Sequence, residues 1–175
     1  RKVTWQVGRT GKLTPLAQVD PVELAGATVR KATLNNLGDI RRKDVKIGSK
    51  VLIRRSNEVI PEILGAYEHT GKSVDIAPPE TCPYCGAPVR EEGANLFCTN
   101  KNCRPRIAAQ LANFASKGAM DIEGFSEMTA YLLYDELGVR HYSDLYFLDK
   151  DRLSKLEGFG DKKIKNLLSA IAASK

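Results

Sequence analysis

The hydrophobic rhythm of the chain changes along its length. Near the start, "VTWQV" and then "ATVRKATL" alternate apolar and polar positions, the period of two that sends successive side chains to opposite faces of a strand. "KVLIRRSNEVIPEILGAY" reads as two strands joined at Ser56-Asn57, and "NNLGDIRRKDVKIGS" before them has room for one helical turn. Gly8 and Gly11 punctuate the first pattern. About five short strands with glycines at the corners predict a small all-β barrel of the OB type over residues 1–69, a fold that commonly binds nucleic acid on one face. An SH3-like barrel is the alternative. From Ile107 onward the period becomes helical, predicting an all-α unit over residues 107–175. "IAAQLANFASKG" sets Ile107, Leu111 and Phe114 on one face. "SEMTAYLLYDELG" starts at a capping Ser126 and stops at Gly138. "HYSDLYFLDKDRLSKLEG" supplies two short helices capped by Ser143 and Asp149. The last helix buries Ile164, Leu167, Leu168 and Ile171. The tyrosines and Phe147 in this half read as core.

Two segments fit neither rhythm. "HTGKSVDIAPPET" has two prolines and few apolar residues, so residues 70–81 read as a linker. Residues 82–106 hold all four cysteines, Cys82, Cys85, Cys98 and Cys103, spaced C-x2-C-x12-C-x4-C. A C-x2-C pair on a tight turn offers two thiolates at one corner of a tetrahedron, and the second pair completes it. Two disulfides are the alternative. The chain has no secretion signal, so a structural zinc is expected, with four thiolates leaving no open position for catalysis. So short a module has too few apolar residues to fold without its metal.

Charge adds a preference. The chain carries 27 Lys/Arg against 21 Asp/Glu, a formal +6. The whole excess sits in residues 1–68, with 13 basic and 7 acidic residues, while residues 107–175 hold 9 and 10. A basic barrel suits a polyanion, although a solvated surface accounts for the charge equally well. Lys31, Arg41, Arg42 and Lys43 read as such solvated charge. No apolar run is long enough to span a bilayer, so a soluble cytoplasmic protein without a membrane partner is expected. The absence of an initiator methionine before "RKVTWQVGRTG" suggests a piece of something longer.

In the helical half, "MDIEGFSEMTAYLL" and "LSKLEGFGDKKIKNLL" repeat one arrangement: an apolar residue, an acid, Gly-Phe, a small residue and a helix. A glycine loop at a helix N-terminus leaves amides pointing outward, where they can take a phosphate oxygen. Gly124 in the first loop and Gly158, Gly160, Lys162 and Lys163 in the second are therefore candidates for gripping a nucleic-acid backbone without reading its bases. A plain turn between packed helices is the alternative for either loop alone.

Taken in order, "QVGRTGKLTPLAQVDPVELAGATVRKATLNN", "DVKIGSKVLIRRSNEVIPEI", the four-cysteine module and the paired "IEGF" and "LEGFG" loops resemble the central and C-terminal part of bacterial NAD-dependent DNA ligases. The resemblance covers essentially the whole chain. Its most specific pieces are Val7-Gly8-Arg9-Thr10-Gly11 and Arg54-Arg55 followed by Val59-Ile60-Pro61. It implies an OB barrel, a zinc finger and the first two hairpins of a helix-hairpin-helix domain, taken from a monomeric enzyme of the bacterial cytoplasm and nucleoid that seals nicks in duplex DNA. It also implies that Arg9, Thr10, Gly11 and Arg55 contact the DNA backbone and that Val59 and Ile60 press on the minor groove. NAD and Mg2+ would be bound elsewhere in the parent, whose adenylation domain would be this segment's partner.

The catalytic lysine of that family sits in Lys-x-Asp-Gly, which does not occur in this chain. Lys155-Leu156-Glu157-Gly158 is the nearest string, and helix packing accounts for it. No catalytic residue is expected, and the isolated segment should be inactive. Three positions depart from the family pattern: Asn35 in place of a histidine, Ser56-Asn57 in place of Ala-Gly, and Ser126 where the first loop would carry a second glycine. The competing reading is a non-enzymatic OB and zinc-ribbon protein that holds single strands. Such proteins interleave aromatics with basic residues, whereas only Trp5 and Tyr67 are aromatic in the first 68 residues.

Overall fold

In "GKLTPLA" burial alternates residue by residue: Gly11, Leu13, Pro15 and Ala17 are buried and their neighbours are not, so one face of this strand turns inward. A computed structural model describes residues 1–55 and 60–175. It divides into two units, Arg1–Asn100 and Lys101–Lys175.

The first unit is built on β1 (Lys2–Val7), β2 (Lys12–Leu24) and β3 (Ala27–Thr33), a meander of antiparallel neighbours. Next come α1 (Leu37–Lys43), β4 (Lys46–Ile47), β5 (Lys50–Arg54) and β6 (Glu62–Glu68). β6 pairs antiparallel with β5 and parallel with β3, and the parallel pair needs the crossover that α1 supplies. The order β1-β2-β3-β6-β5 is that of the expected OB barrel. The one helical turn foreseen between β3 and β4 is a seven-residue helix. Asn36 caps it by accepting the Asp39 N–H at 2.8 Å, and Leu37 and Ile40 are its buried face. Ala17, Ala32, Leu34, Ile40, Val45 and Ile63 form the core, and Trp5 packs against it.

Residues expected to be a linker contribute β7 (Val74–Asp75), which pairs with β4. The cysteine segment adds a hairpin, β8 (Val89–Glu92) and β9 (Asn95–Cys98), and β9 joins β2 at Lys12 and Leu13. One edge of β2 is thus shared end to end by β9 and β3, with β1 along the other. Such pairing between distant segments leaves no trace in local periodicity. The join at Ser56-Asn57 lies outside the described residues.

The second unit contains α2 (Arg104–Phe114), α3 (Glu127–Leu137), a 3₁₀ helix (Tyr142–Phe147), α4 (Lys150–Leu153) and α5 (Asp161–Ala173). α2 begins three residues before the expected Ile107, because Pro105 in its first turn has a preset φ and no amide to satisfy. Ser126 and Gly138 end α3 as expected: the serine accepts the Thr129 N–H at 3.2 Å, and the glycine sits at φ 68°. Two expectations fail. The 3₁₀ helix is capped by His141, not Ser143; His141 Nδ1 accepts the Ser143 N–H, and Asp144 accepts the backbone N–H groups of Arg140 and His141. Phe147 is 74% exposed and Tyr142 44%, because a 3₁₀ turn advances three residues per turn and carries them away from the stripe an α-helix would bury. The core instead runs from Ile107 and Leu111 through Ile122, Leu133, Leu145 and Leu156 to Ile171, with Leu168 at its margin. No helix among the described residues is long and apolar enough to cross a membrane.

Candidate metal centre and nucleic-acid interface

Cys82 and Cys85 stand on a knuckle closed by Cys82 N–H to Ala87 O at 2.8 Å and Gly86 N–H to Cys82 O at 2.9 Å. Gly86 takes φ 72°, which a side chain would resist. Cys98 ends β9, and Cys103 stands at the start of α2, where the helix dipole favours negative charge. All four Sγ atoms lie within 4.8 Å of one another. Cys85 and Cys98 are 3.5 Å apart, whereas a disulfide needs about 2.05 Å. None of the four is in a disulfide, and all but Cys85 are buried. Arms of about 2.3 Å around a tetrahedral ion put sulfurs about 3.8 Å apart, so this group could hold a metal. Burial pushes the Cys85 thiol up, but hydrogen bonds from the Ala87 backbone and from Cys98, Asn100 and Cys82 outweigh it and bring it to about 7. Burial lifts Cys98 to about 11, opposed by the Asn100 backbone and reinforced by Cys85 and Cys82. One sulfur gives up its proton readily and the next resists becoming a second anion beside it, an arrangement that a dication relieves.

In the first unit, the turn from β1 to β2 exposes Arg9 and Thr10. Gly8 N–H donates to Lys12 O at 2.9 Å and Gly11 N–H to Gly8 O at 3.0 Å, with buried Gly11 at φ 84°. Gly11 O also accepts the Cys98 N–H at 2.8 Å, tying this turn to the metal-site hairpin. Arg55 and Ile60 are brought together elsewhere. They line a groove of about 380 Å3 with Gln6, Arg30, Lys31 and Pro61. Ile60 is 56% exposed. Arg9 and Thr10 are not part of this groove, and Val59 lies outside the described residues.

Ion pairing sorts the remaining cations. Arg41 pairs with Glu91, Arg42 and Lys43 with Asp39, and Arg54 with Glu62. Three of the four residues read as solvated charge are therefore paired locally, and Lys31 is the one without an ion pair among the described residues. Sequence reasoning did not place Arg30 and Lys31 beside Arg55, because the β3–β6 register that carries Pro61 to them spans distant segments.

In the second unit, the two glycine loops adopt the same turn. Phe125 N–H donates to Ile122 O and Phe159 N–H to Leu156 O, both at 3.3 Å, and the third residues, Gly124 and Gly158, take φ 79° and 78°. That is the type II turn, which demands glycine at this position. Ser126 and Gly160 follow with nearly the same ψ, 169°, and open α3 and α5. Gly124 and Gly160 line one cleft of about 430 Å3, together with Glu123, Lys162, Lys163 and Asn166. The Lys163 ammonium sits 4.2 Å from the centre of the Phe159 ring, held beside the second turn. Lys155, in the nearest string to a nucleotidyl-transfer motif, does not line this cleft, and Leu156 beside it is buried in the core.

Residues 1–74 match the family described as the NAD-dependent DNA ligase OB-fold domain. The full chain is 53% identical to a DNA ligase of Alkaliphilus metalliredigens over 175 residues, 99% of this chain and 26% of that protein. It is 51% identical to DNA ligase 2 of Clostridium acetobutylicum over 99% of this chain and 26% of the relative. A DNA ligase of Alkaliphilus oremlandii is 52% identical over 100% of the chain and 27% of its own length. The chain thus resembles a segment of these DNA ligases, and its first 74 residues resemble the OB-fold domain of the NAD-dependent ones. It spans about a quarter of the length of these relatives. Within the matched ligase OB-fold domain lie the Gly8–Gly11 turn and the Arg55 groove; the cysteine group and both glycine turns lie beyond residue 74, inside the stretch aligned to whole ligases.

Proposed function

We propose that this chain is the DNA-gripping segment of a ligase that seals nicks in duplex DNA. One observation carries the reading: two glycine turns of the same geometry open on one lysine-flanked cleft, in a chain that matches DNA ligases from end to end. The second unit acts as the first part of a helix-hairpin-helix domain. Its turns and helix N-termini offer amides to phosphate oxygens, with Lys162 and Lys163 adding charge. In the barrel, Arg9, Thr10 and Gly11 meet the backbone at one point. Arg55 does so at another, where a planar guanidinium suits two phosphate oxygens, and Ile60 beside it meets the minor groove. Trp5 packs against the barrel core, and Tyr67, 62% exposed, is then the one exposed aromatic side chain of the barrel; a single ring is a poor platform for stacking successive single-stranded bases, which favours duplex.

The four thiols take zinc, which four sulfurs in a closed tetrahedral set suit best, and its role is structural. NAD and Mg2+ supply the adenylyl-transfer chemistry when bound elsewhere in the parent. In the parent reaction an adenylated lysine passes AMP to the 5′-phosphate and the 3′-hydroxyl displaces it. The residues of this segment hold and orient the duplex, and none takes part in a covalent step. The parent works as a monomer in the cytoplasm, at the nucleoid.

The test is anisotropy of a labelled nicked duplex with the 175-residue chain at increasing salt, followed by a nick-sealing assay with a ligase adenylation domain supplied in trans. Binding should weaken with a log-log slope of about −0.9 per phosphate neutralised. Salt-insensitive binding would refute the backbone grip.

A further inference from the structure

The groove beside Arg55 is built by a long-range bond. Thr33 N–H donates to Pro61 O at 2.8 Å, and the β3–β6 bridge pairs Thr33 with Glu62. This pins the start of β6 to the end of β3, so that Ile60 and Pro61 come to line one groove with Arg30 and Lys31. On the other side Arg54 is held by Glu62, which leaves Arg55 to the groove. Three cations therefore line one groove of about 380 Å3, around apolar Leu16, Val29 and Ile60.

None of the three side chains has an ion pair or hydrogen bond among the described residues, although Arg1, Arg41, Arg42, Lys43, Lys46, Lys50, Arg54 and Arg90 in the same unit each have an acidic partner. Like charges gathered with no acidic partner among the described residues repel one another, and the repulsion is relieved by a ligand carrying regularly spaced negative charge. An exposed isoleucine among them suits a surface that is apolar between its charged edges. A DNA duplex offers this combination, with phosphates along both rims of a shallower base-lined groove.

We propose that Arg30 and Lys31 bind DNA phosphates and extend the contact made by Arg55 along β3, so that the barrel holds a run of backbone rather than a single phosphate. This rests on the reading of the chain as a DNA-gripping segment, and the experiment separates the two. Duplex binding is measured by anisotropy across a salt series for the 175-residue chain, for Arg55→Gln, for the double variant Arg30→Gln/Lys31→Gln, and for Lys72→Gln. Lys72 is an exposed cation outside this groove and controls for net charge.

Each phosphate contact contributes about 0.9 to the log-log slope, or about 5-fold in affinity at about 0.15 M salt. Arg55→Gln should lose one such step and the double variant about two, close to 30-fold with a slope smaller by about 1.8. Lys72→Gln should leave the slope unchanged. Exposed side chains with no partner among the described residues add little to the fold, so thermal unfolding of the variants should match the parent chain. If Arg55→Gln weakens binding and the double variant does not, the track along β3 is overturned while the DNA reading stands. If the double variant loses no more than Lys72→Gln, the track is overturned and the effect is net charge alone. If the unmodified chain fails to bind duplex, the reading beneath it falls as well.

Discussion

The two glycine turns of the helical unit share a backbone and differ in one atom group. Both run from a buried aliphatic residue through glutamate and a left-handed glycine to phenylalanine, and both open a helix of at least 11 residues. In the first, the Ser126 hydroxyl accepts the Thr129 N–H and satisfies one of the amides a phosphate would use. In the second, Gly160 offers no side-chain cap, so no side chain at the N-cap occupies the leading amides of α5, and Lys162 and Lys163 stand beside them. The first turn is closed on itself and the second is open, on the same cleft. The family pattern, with two glycines per loop, is kept only in the open one.

The largest effect that bears on this comparison is metal removal. The turns belong to a core of Ile107, Ile122, Leu133, Leu156, Phe159 and Ile171, which includes none of the cysteines. Chelation should therefore unfold residues 82–103, removing an apparent ~10–16 kcal/mol of metal-linked stability, while the helical signal of residues 107–175 and the exchange protection of Leu133 and Leu167 persist. Limited proteolysis and amide exchange with and without chelator measure both. Unchanged protection at 82–103 would show that the hairpin folds without metal, and collapse of both turns would show that their shared geometry is imposed by the metal site.

Next in size is the glycine at the third position of each turn. At φ 79° and 78°, Gly124→Ala and Gly158→Ala should each cost ~1–2 kcal/mol, since an added Cβ meets nothing within 4 Å and the penalty is that of the left-handed backbone. Urea unfolding should give the two variants equal losses, whereas duplex affinity should fall further for Gly158→Ala. Equal affinity in both would reduce the open turn to a structural corner.

These turns were legible because they are local. "DIEGF" and "KLEGF" contain the aliphatic anchor and the positive-φ glycine within five residues, with the helix N-cap at the next position, and the C-x2-C knuckle is equally self-contained. What the sequence hid depends on distant pairing. The hydrogen bond from Thr33 to Pro61 that brings Arg30 and Lys31 beside Arg55 joins segments whose spacing carries no periodic signal, as does the seam of β9 on β2. Phe147 misled for a different reason: a 3₁₀ turn and an α-turn bury different positions, and short polar-apolar strings do not distinguish them.

A smaller effect probes the closed turn. Ser126→Ala removes the cap of α3, leaving the N–H of buried Thr129 without its hydroxyl partner, and should cost ~1 kcal/mol, the usual size for such a cap. Ser126→Gly should restore most of that stability by easing the backbone, and it reproduces the second turn's chemistry in the first. Thermal unfolding ranks the pair, and the glycine variant should bind duplex at least as tightly as the parent chain.

The smallest change in stability gives the sharpest contrast. Gly160→Ser makes the open turn resemble the closed one: φ is −81°, and no atom lies within 4 Å of the new Cβ, so serine fits without strain. As an N-cap it should stabilise α5 by only ~0.3 kcal/mol, because its hydroxyl accepts an amide that otherwise waits for a ligand. If that amide serves a phosphate, the variant should unfold at a slightly higher temperature and yet bind duplex several-fold more weakly. A residue that merely shapes a corner could not move stability and affinity in opposite directions, so parallel changes in melting and anisotropy would end the distinction between the two turns.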